Sequence, residues 1–302
     1  MRKAYEVRRS PFSVTKEIIR AVDSVSFELE QGRTLGLVGE SGCGKSTVAK
    51  CITMLEKPDD GSILFMGRDW VHMPEQERRS LRRQMQIIFQ DPFSSLNPRK
   101  RVLDTVAEPL VAHRMVGKDG LADRVLEVLK SVGLDEDFLK KYPHEMSGGQ
   151  RQRVAIGRAL ATSPSFIVAD EPVSSLDVSV QAQIINLFLD IREQFRISML
   201  FISHDLNIVR FVSDRIMVMY RGKVVEIGEK EELFSHPLHP YTRLLMDASN
   251  RVQAESEGQG ALPDGCCAFL ERCGEKKETC EHDSPLLTGP QNHRVACFLC
   301  PE

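Results

Sequence analysis

The sequence predicts an α/β fold built on a buried, mainly parallel sheet, with an inserted helical region and a small cysteine-rich tail. Three observations carry that prediction. Residues 34–38 (Thr-Leu-Gly-Leu-Val), 166–169 (Phe-Ile-Val-Ala) and 199–202 (Met-Leu-Phe-Ile) are short and almost wholly apolar, the pattern of strands covered on both faces. Each run ends in polar chemistry: Gly39 opens a glycine loop, Asp170 and Glu171 follow the second run, and His204 closes the third. Open α/β sheets bind ligands at the carboxyl ends of their strands.

Composition narrows the function classes. The chain has 302 residues, 41% apolar and 27% charged, which is globular rather than disordered. Its formal charge of −3 exerts no global pull on nucleic acid or anionic lipid. No apolar run approaches the ~18 to 20 residues of a membrane span, and the N-terminus is charged rather than a signal-peptide core. The expectation is a cytosolic protein. Two of the eight cysteines, Cys43 and Cys51, come early, and the other six crowd between Cys266 and Cys300. In a reducing compartment such a crowd predicts a metal or cluster site before a disulfide scaffold.

Along the chain, residues 21–29 alternate apolar and polar and predict a half-buried strand ahead of 34–38. Residues 91–163 read as helical, with Leu121, Val125, Val128, Leu129 and Val132 at helical spacing and Gly133 as the stop. After Arg221 a strand is expected over 223–227 and a helix over 231–234. Two prolines break 236–240, and 251–260 is polar and linker-like. The predicted division is a main domain over 1–250, containing the helical insertion, and a cysteine-rich extension over 251–302.

The glycine loop carries the chemistry. Gly39-Glu40-Ser41-Gly42-Cys43-Gly44-Lys45-Ser46, continued by Thr47, matches the phosphate-binding loop pattern between a strand and a helix. Its glycines let backbone N–H groups curl around phosphate oxygens at a helix N-terminus. Lys45 then reaches the terminal phosphates and Ser46 offers a hydroxyl to Mg²⁺. Asp170 is suited to hold the metal through its water shell, and Glu171 beside it to serve as general base toward an attacking water. Ser147, Gly148 and Gly149, at the start of a helix running toward Ala161, make a second anion site.

Met146-Ser147-Gly148-Gly149-Gln150, followed by Arg151-Gln152-Arg153, resembles the signature of the ATP-binding-cassette (ABC) ATPases, with Met where that family usually has Leu. The resemblance implies a P-loop NTPase cassette: a RecA-like parallel core, an antiparallel β subdomain and the inserted helical subdomain. It further implies that the signature faces the γ-phosphate of ATP held by a second cassette, so that hydrolysis takes two. Gln90 resembles the glutamine that reaches metal and water. Asp177 in Ser174-Ser175-Leu176-Asp177 resembles the acidic member of the loop crossing the dimer interface, and His204 the switch histidine on the γ-phosphate. Tyr5 and Phe12 are both candidates for the aromatic that stacks on adenine.

The likeness extends over nearly the whole chain. Residues 89–98, residues 177–183 and His239-Pro240-Tyr241-Thr242-Arg243 resemble the oligopeptide/dipeptide importer subfamily. Gly42-Cys43-Gly44 and Gln86-Ile87-Ile88-Phe89 resemble its F-type ATPase subunit; nickel and glutathione importers share much of this text. Implied partners are a second, non-identical ATPase subunit, two transmembrane permeases and, through them, an extracytoplasmic solute-binding protein. The implied location is peripheral, on the cytoplasmic face of the cell membrane. In this family's tail some members bind an iron–sulfur cluster, and Cys267, Cys273, Cys280 and Cys297 fall at matching positions. Four thiolates suit [4Fe–4S] or tetrahedral Zn²⁺ about equally, and the family favours iron. A rival reading is an ABC-type ATPase acting on nucleic acid or ribosomes. The basic runs at Arg78, Arg79, Arg82 and Arg83 and at Arg99, Lys100 and Arg101 invite it, but they lack interleaved aromatics and read as solvated faces.

Overall fold

The computed structural model describes residues 1–8, 16–91, 95–249 and 265–300. In chain order these form β1 (Lys3–Arg8), β2 (Lys16–Val22), β3 (Thr34–Val38), α1 (Lys45–Ile52), β4 (Leu64–Phe65), β5 (Arg68–Asp69), α2 (Glu75–Leu81) and β6 (Met85–Ile88). There follow α3 (Val102–Ala112), α4 (Leu121–Ser131), α5 (Gly148–Leu160), β7 (Phe166–Asp170), α6 (Val178–Phe195), β8 (Ser198–Ser203) and α7 (Leu206–Val212). The last elements are β9 (Arg215–Tyr220), β10 (Lys223–Glu229), α8 (Lys230–Ser235), α9 (Pro240–Ser249), α10 (Thr279–His282) and β11 (His293–Val295).

Packing divides the chain into two units. The first comprises residues 1–28, 35–71 and 203–302, the second residues 29–34 and 72–202. In the first unit β3 pairs in parallel with β9, which pairs antiparallel with β10, and β11 adds antiparallel to the far edge of β10. The apolar run of β3 is buried at every position, as its sequence requires. Its Gly36 leaves no room for a side chain, since a Cβ there would lie 2.1 Å from Val209 Cγ1 of α7. A separate antiparallel ribbon joins β1 to β2, and the indole N–H of the fully buried Trp70 donates to the Ile52 carbonyl at the end of α1.

In the second unit β6, β7 and β8 pair in parallel in that order. Phe188 of α6 meets Phe201 of β8 edge to face, with centroids 5.5 Å apart. The expected helical stretch forms α3, α4 and α5, which pack on one another and bury Val106, Leu110, Val125, Leu129 and Ile156. Gly133, at φ 72°, terminates the α4 segment where its sequence position predicts.

One expected strand is corrected. Residues 21–29 do not form one strand: β2 ends at Val22, and 23–30 carry no ladder. Val25 is buried and its N–H donates to the Met1 carbonyl, so the alternation there records single buried side chains rather than a pleated edge.

Candidate functional site

In the first unit the glycine loop runs from β3 into α1. Gly39 (φ 155°) and Gly44 (φ 108°) lie against other backbone: a Cβ on the first would sit 2.2 Å from the Met219 carbonyl oxygen, and one on the second 1.9 Å from that of Ala21. Only glycine meets both demands, positive φ and no side-chain volume. Lys45, the first residue of α1, is only 4% exposed. Its Nζ donates to the Gly39 carbonyl at 2.7 Å and the Glu40 carbonyl at 3.0 Å. A buried ammonium requires such partners, and phosphate oxygens can take their place. The N-terminal turn of α1 has no acidic residue and no side-chain cap, so its N–H groups and dipole face the loop's concavity. Ser46 is exposed in that turn, and burial pushes the Cys43 thiol up. His204 is exposed directly after β8, followed by Asp205, which caps α7 by accepting from the Asn207 and Ile208 amides.

Tyr5 sits beside α1, its hydroxyl bonded to Glu56 and interacting with Thr47. Phe12, the other candidate adenine aromatic, lies outside the described residues.

In the second unit the carboxyl end of β7 carries Asp170, which is buried, and then Glu171 in a left-handed conformation at φ 46°. Non-glycine residues adopt that region at a cost of about 1–3 kcal/mol, and such strain clusters at functional sites. Here the Glu171 N–H donates to the Ile202 carbonyl at 3.0 Å, extending the β7–β8 ladder by one bond. The Gln90 amide donates to Glu171 Oε2 at 3.4 Å. Two residues expected to act on one water therefore touch.

The signature forms the start of α5. Ser147 is its N-cap: the hydroxyl accepts from the Gln150 N–H at 3.3 Å, and the Gln150 side-chain oxygen accepts from the Ser147 N–H at 3.0 Å. No acidic residue occupies the first turn, so this 13-residue helix presents an exposed positive end. Met146 is buried as an apolar anchor, and Arg151 clamps the preceding turn through the Pro143 and Met146 carbonyls. Gly149 packs on the first turn of α6, where a Cβ would lie 2.5 Å from Val180 Cγ1. Asp177 caps α6 by accepting from the Val180 N–H and the Ser179 hydroxyl, which hold its carboxyl below the usual range. The basic runs are largely tied up locally: Arg78 and Arg82 pair with Glu75, Lys100 with Glu108, and Arg101 donates to the Tyr142 hydroxyl.

The tail carries six of the eight cysteines. Cys267 and Cys280 are buried, and the Cys267 N–H donates to the Cys280 carbonyl at 2.9 Å. Burial pushes the Cys267 thiol up, and the charges of Cys280, Cys273 and Cys266 add to the effect. Cys297 is pushed up to about 11 by burial and then by Cys300, Cys267 and Cys273. None of the eight cysteines forms a disulfide. Among the described residues no three His, Cys, Asp or Glu side chains are arranged to hold a metal ion.

Sequence reasoning missed two contacts on the glycine loop. The Glu40 N–H donates to the Tyr241 hydroxyl at 2.9 Å, and Arg272 donates to both Glu40 carboxylate oxygens at 2.9 and 2.8 Å. Both partners lie more than 200 positions downstream, where no spacing rule applies.

The ABC transporter family model matches residues 22–174, and the model of the oligopeptide/dipeptide transporter C-terminal region matches 225–280. The chain is 43% identical to the di/tripeptide transport ATP-binding protein DppF of Pseudomonas aeruginosa, covering 97% of this chain and 94% of that one. It is 45% identical to the oligopeptide transport ATP-binding protein AppF of Bacillus subtilis, over 99% and 95% of the two chains. Among solved structures, a dimeric ATP-binding cassette in a post-hydrolysis state, bound to ADP and Pi, superposes with TM-score 0.66 at 31% identity, over 76% of this chain and 96% of that one.

Proposed function

The chain belongs to the ABC transporter ATP-binding proteins of the oligopeptide/dipeptide branch, and from that premise we propose how its residues divide the work of an importer motor. The observation that carries the reading is the buried Lys45 ammonium, held by two carbonyls of a loop that tolerates only glycine at Gly39 and Gly44. Lys45 and the loop N–H groups from Gly39 through Thr47, with Ser41, Gly42 and Cys43 between, bind the phosphates of ATP. Ser46, Gln90 and Asp170 hold Mg²⁺, which when bound neutralises charge on the phosphates. Glu171 takes a proton from the attacking water as its oxygen bonds to the γ-phosphorus and the bond to ADP breaks. Gln90 positions that water, and His204 contacts the γ-phosphate. Ser147, Gly148, Gly149 and Gln150 act on ATP held by a second cassette, a related but non-identical chain, with Asp177 at the crossing.

The load is a pair of permeases supplied by an extracytoplasmic solute-binding protein, and the solute is a di- or oligopeptide, as the names of the relatives suggest. No helix among the described residues is long and apolar enough to cross a membrane, in keeping with a subunit bound to the permeases' cytoplasmic face.

Cys267, Cys273, Cys280 and Cys297 are proposed to hold one [4Fe–4S] cluster that orders the tail and takes no part in hydrolysis. What supports this is the burial of Cys267 and Cys280, with Cys280 and Cys273 near enough to act on the Cys267 thiol and Cys267 and Cys273 near enough to act on that of Cys297. Four thiolates would equally suit a tetrahedral Zn²⁺. Anaerobically purified protein should be brown with about four irons per chain. Colourless protein with stoichiometric zinc would establish zinc instead, and freely titrating thiols without metal would defeat both.

The test of the motor reading is Glu171→Gln. That amide can hydrogen-bond water but cannot accept its proton, so the variant should bind ATP and lose at least ~100-fold in turnover. Turnover near the wild-type rate would remove Glu171 from the chemistry.

A further inference from the structure

Glu40 is an electrostatic liability in its setting. It is the second residue of a loop whose ligand is a polyanion, and an uncompensated carboxylate there would repel phosphate. The structure compensates it from the cysteine-rich tail. Arg272, within the single turn of 3-10 helix Leu270–Arg272 beside Cys273, donates from one guanidinium nitrogen to both Glu40 oxygens across 232 positions of sequence. Both side chains are 26% exposed, so the pair is partly shielded from solvent. The guanidinium is fixed in turn, lying 5.8 Å from the ring centroids of both Tyr220 and Phe269.

The rest of Glu40 is gripped as well. Its N–H donates to the hydroxyl of the fully buried Tyr241, and its carbonyl accepts from Lys45 Nζ at 3.0 Å. Tyr241 packs against Tyr220 at 4.6 Å and Phe269 at 5.5 Å. One aromatic cluster thus carries both Arg272 and Tyr241. A rotation of the Glu40 peptide would move the oxygen that steers Lys45, and a glycine-rich loop resists such rotation poorly by itself.

We propose that Arg272 is a positioning residue for the phosphate loop: by neutralising and anchoring Glu40 it makes nucleotide affinity depend on the folded cysteine-rich tail. This rests on the reading that the loop binds the phosphates of ATP.

The experiment is equilibrium titration of the full-length protein with a fluorescent ADP analogue and Mg²⁺, for Arg272→Ala, Arg272→Lys, Glu40→Gln and the double variant Glu40→Gln/Arg272→Ala. Arg272→Ala should weaken binding about tenfold, as expected for a partly shielded charge-assisted pair. Arg272→Lys should recover most of that loss, because it keeps the charge. In the Glu40→Gln background the Arg272→Ala change should cost less than twofold, since the carboxylate to be neutralised is gone. A purely structural role for Arg272 would cost the same in both backgrounds, and that outcome overturns the proposal. By linkage, nucleotide should also protect the tail of the wild-type protein from protease, and less so in Arg272→Ala. Should Arg272→Ala misfold, the lysine variant and the double variant still decide. If Lys45→Ala abolishes binding while Arg272→Ala binds as the wild type does, the inference fails and the loop reading stands. If Lys45→Ala binds normally, the loop reading itself fails.

Discussion

Glu226→Ala tests whether a wholly buried carboxylate knits the C-terminal elements of the first unit together. Glu226, in the middle of β10, is 0% exposed. One oxygen accepts from the Leu238 N–H at 2.9 Å and from His293 Nε2 of β11 at 2.7 Å; the other accepts from the His239 N–H at 2.9 Å. The alanine leaves all three donors facing a cavity. An unsatisfied buried donor costs about 1–3 kcal/mol, so three of them toward the low end of that range give an expected loss of about 3–5 kcal/mol. For 302 residues the unfolding entropy is roughly 0.6 kcal/mol/K, which converts that loss into a Tm drop of about 5–8 °C. Leu238 and His239 lead into α9, whose Tyr241 holds the Glu40 N–H, so the same variant should weaken nucleotide binding although Glu226 itself makes no bond to the loop. Thermal unfolding by circular dichroism and nucleotide titration measure the two effects. A Tm within 1 °C of wild type would show that the three donors find other partners, and would refute the reasoning.

His239 supplies a pH prediction. Burial lowers it to about 4, with Arg243 adding and Glu226 opposing, and its Nδ1 accepts from the Tyr241 N–H. The unfolded chain takes up this proton near pH 6.5 while the folded one does not, so stability should fall as pH drops from 6.5 to 4, by up to about 3 kcal/mol. His239→Asn keeps an acceptor for Tyr241 and should flatten that slope; identical slopes in the two proteins would exclude His239 as its source. Gly149→Asp places a Cβ 2.5 Å from Val180 and a carboxylate at the positive end of α5. It should retain ATP binding and lose hydrolysis, and the wild-type rate per chain should fall on dilution; a dilution-independent rate would count against a shared site.

The legibility of this fold follows from which forces leave a local mark. The strands β3, β7 and β8 were readable to within a residue because strands buried on both faces must be apolar at every position. The loop at Gly39 to Ser46 was readable because its chemistry is contiguous. Residues 23–29 misled because single buried side chains such as Val25 imitate alternation without a ladder. The left-handed turn at Glu171 was not readable, since it is imposed by the Ile202 carbonyl of the adjacent strand. Arg272 left no trace, because an ion pair has no period and its partner is 232 residues away.

That last contact changes how the tail is to be regarded. Residues 265–300 bury few large apolar side chains, chiefly Phe269 and Val295, so burial alone offsets little of their ordering entropy. Their other attachments are polar and specific: Arg272 to Glu40, His293 to Glu226, and the short β11 covering the edge of β10. A segment held this way belongs among the first parts of the molecule to open, and whatever tightens it lowers the population of that open state. Because one of its attachments ends on the phosphate loop, a ligand that staples the four thiols and a nucleotide that fills the loop stabilise the same closed arrangement. If the proposed cluster occupies the four thiols, nucleotide affinity measured before and after its removal should therefore differ in wild type and differ less in Arg272→Ala. Equal differences in the two proteins would mean that the tail and the loop are merely neighbours.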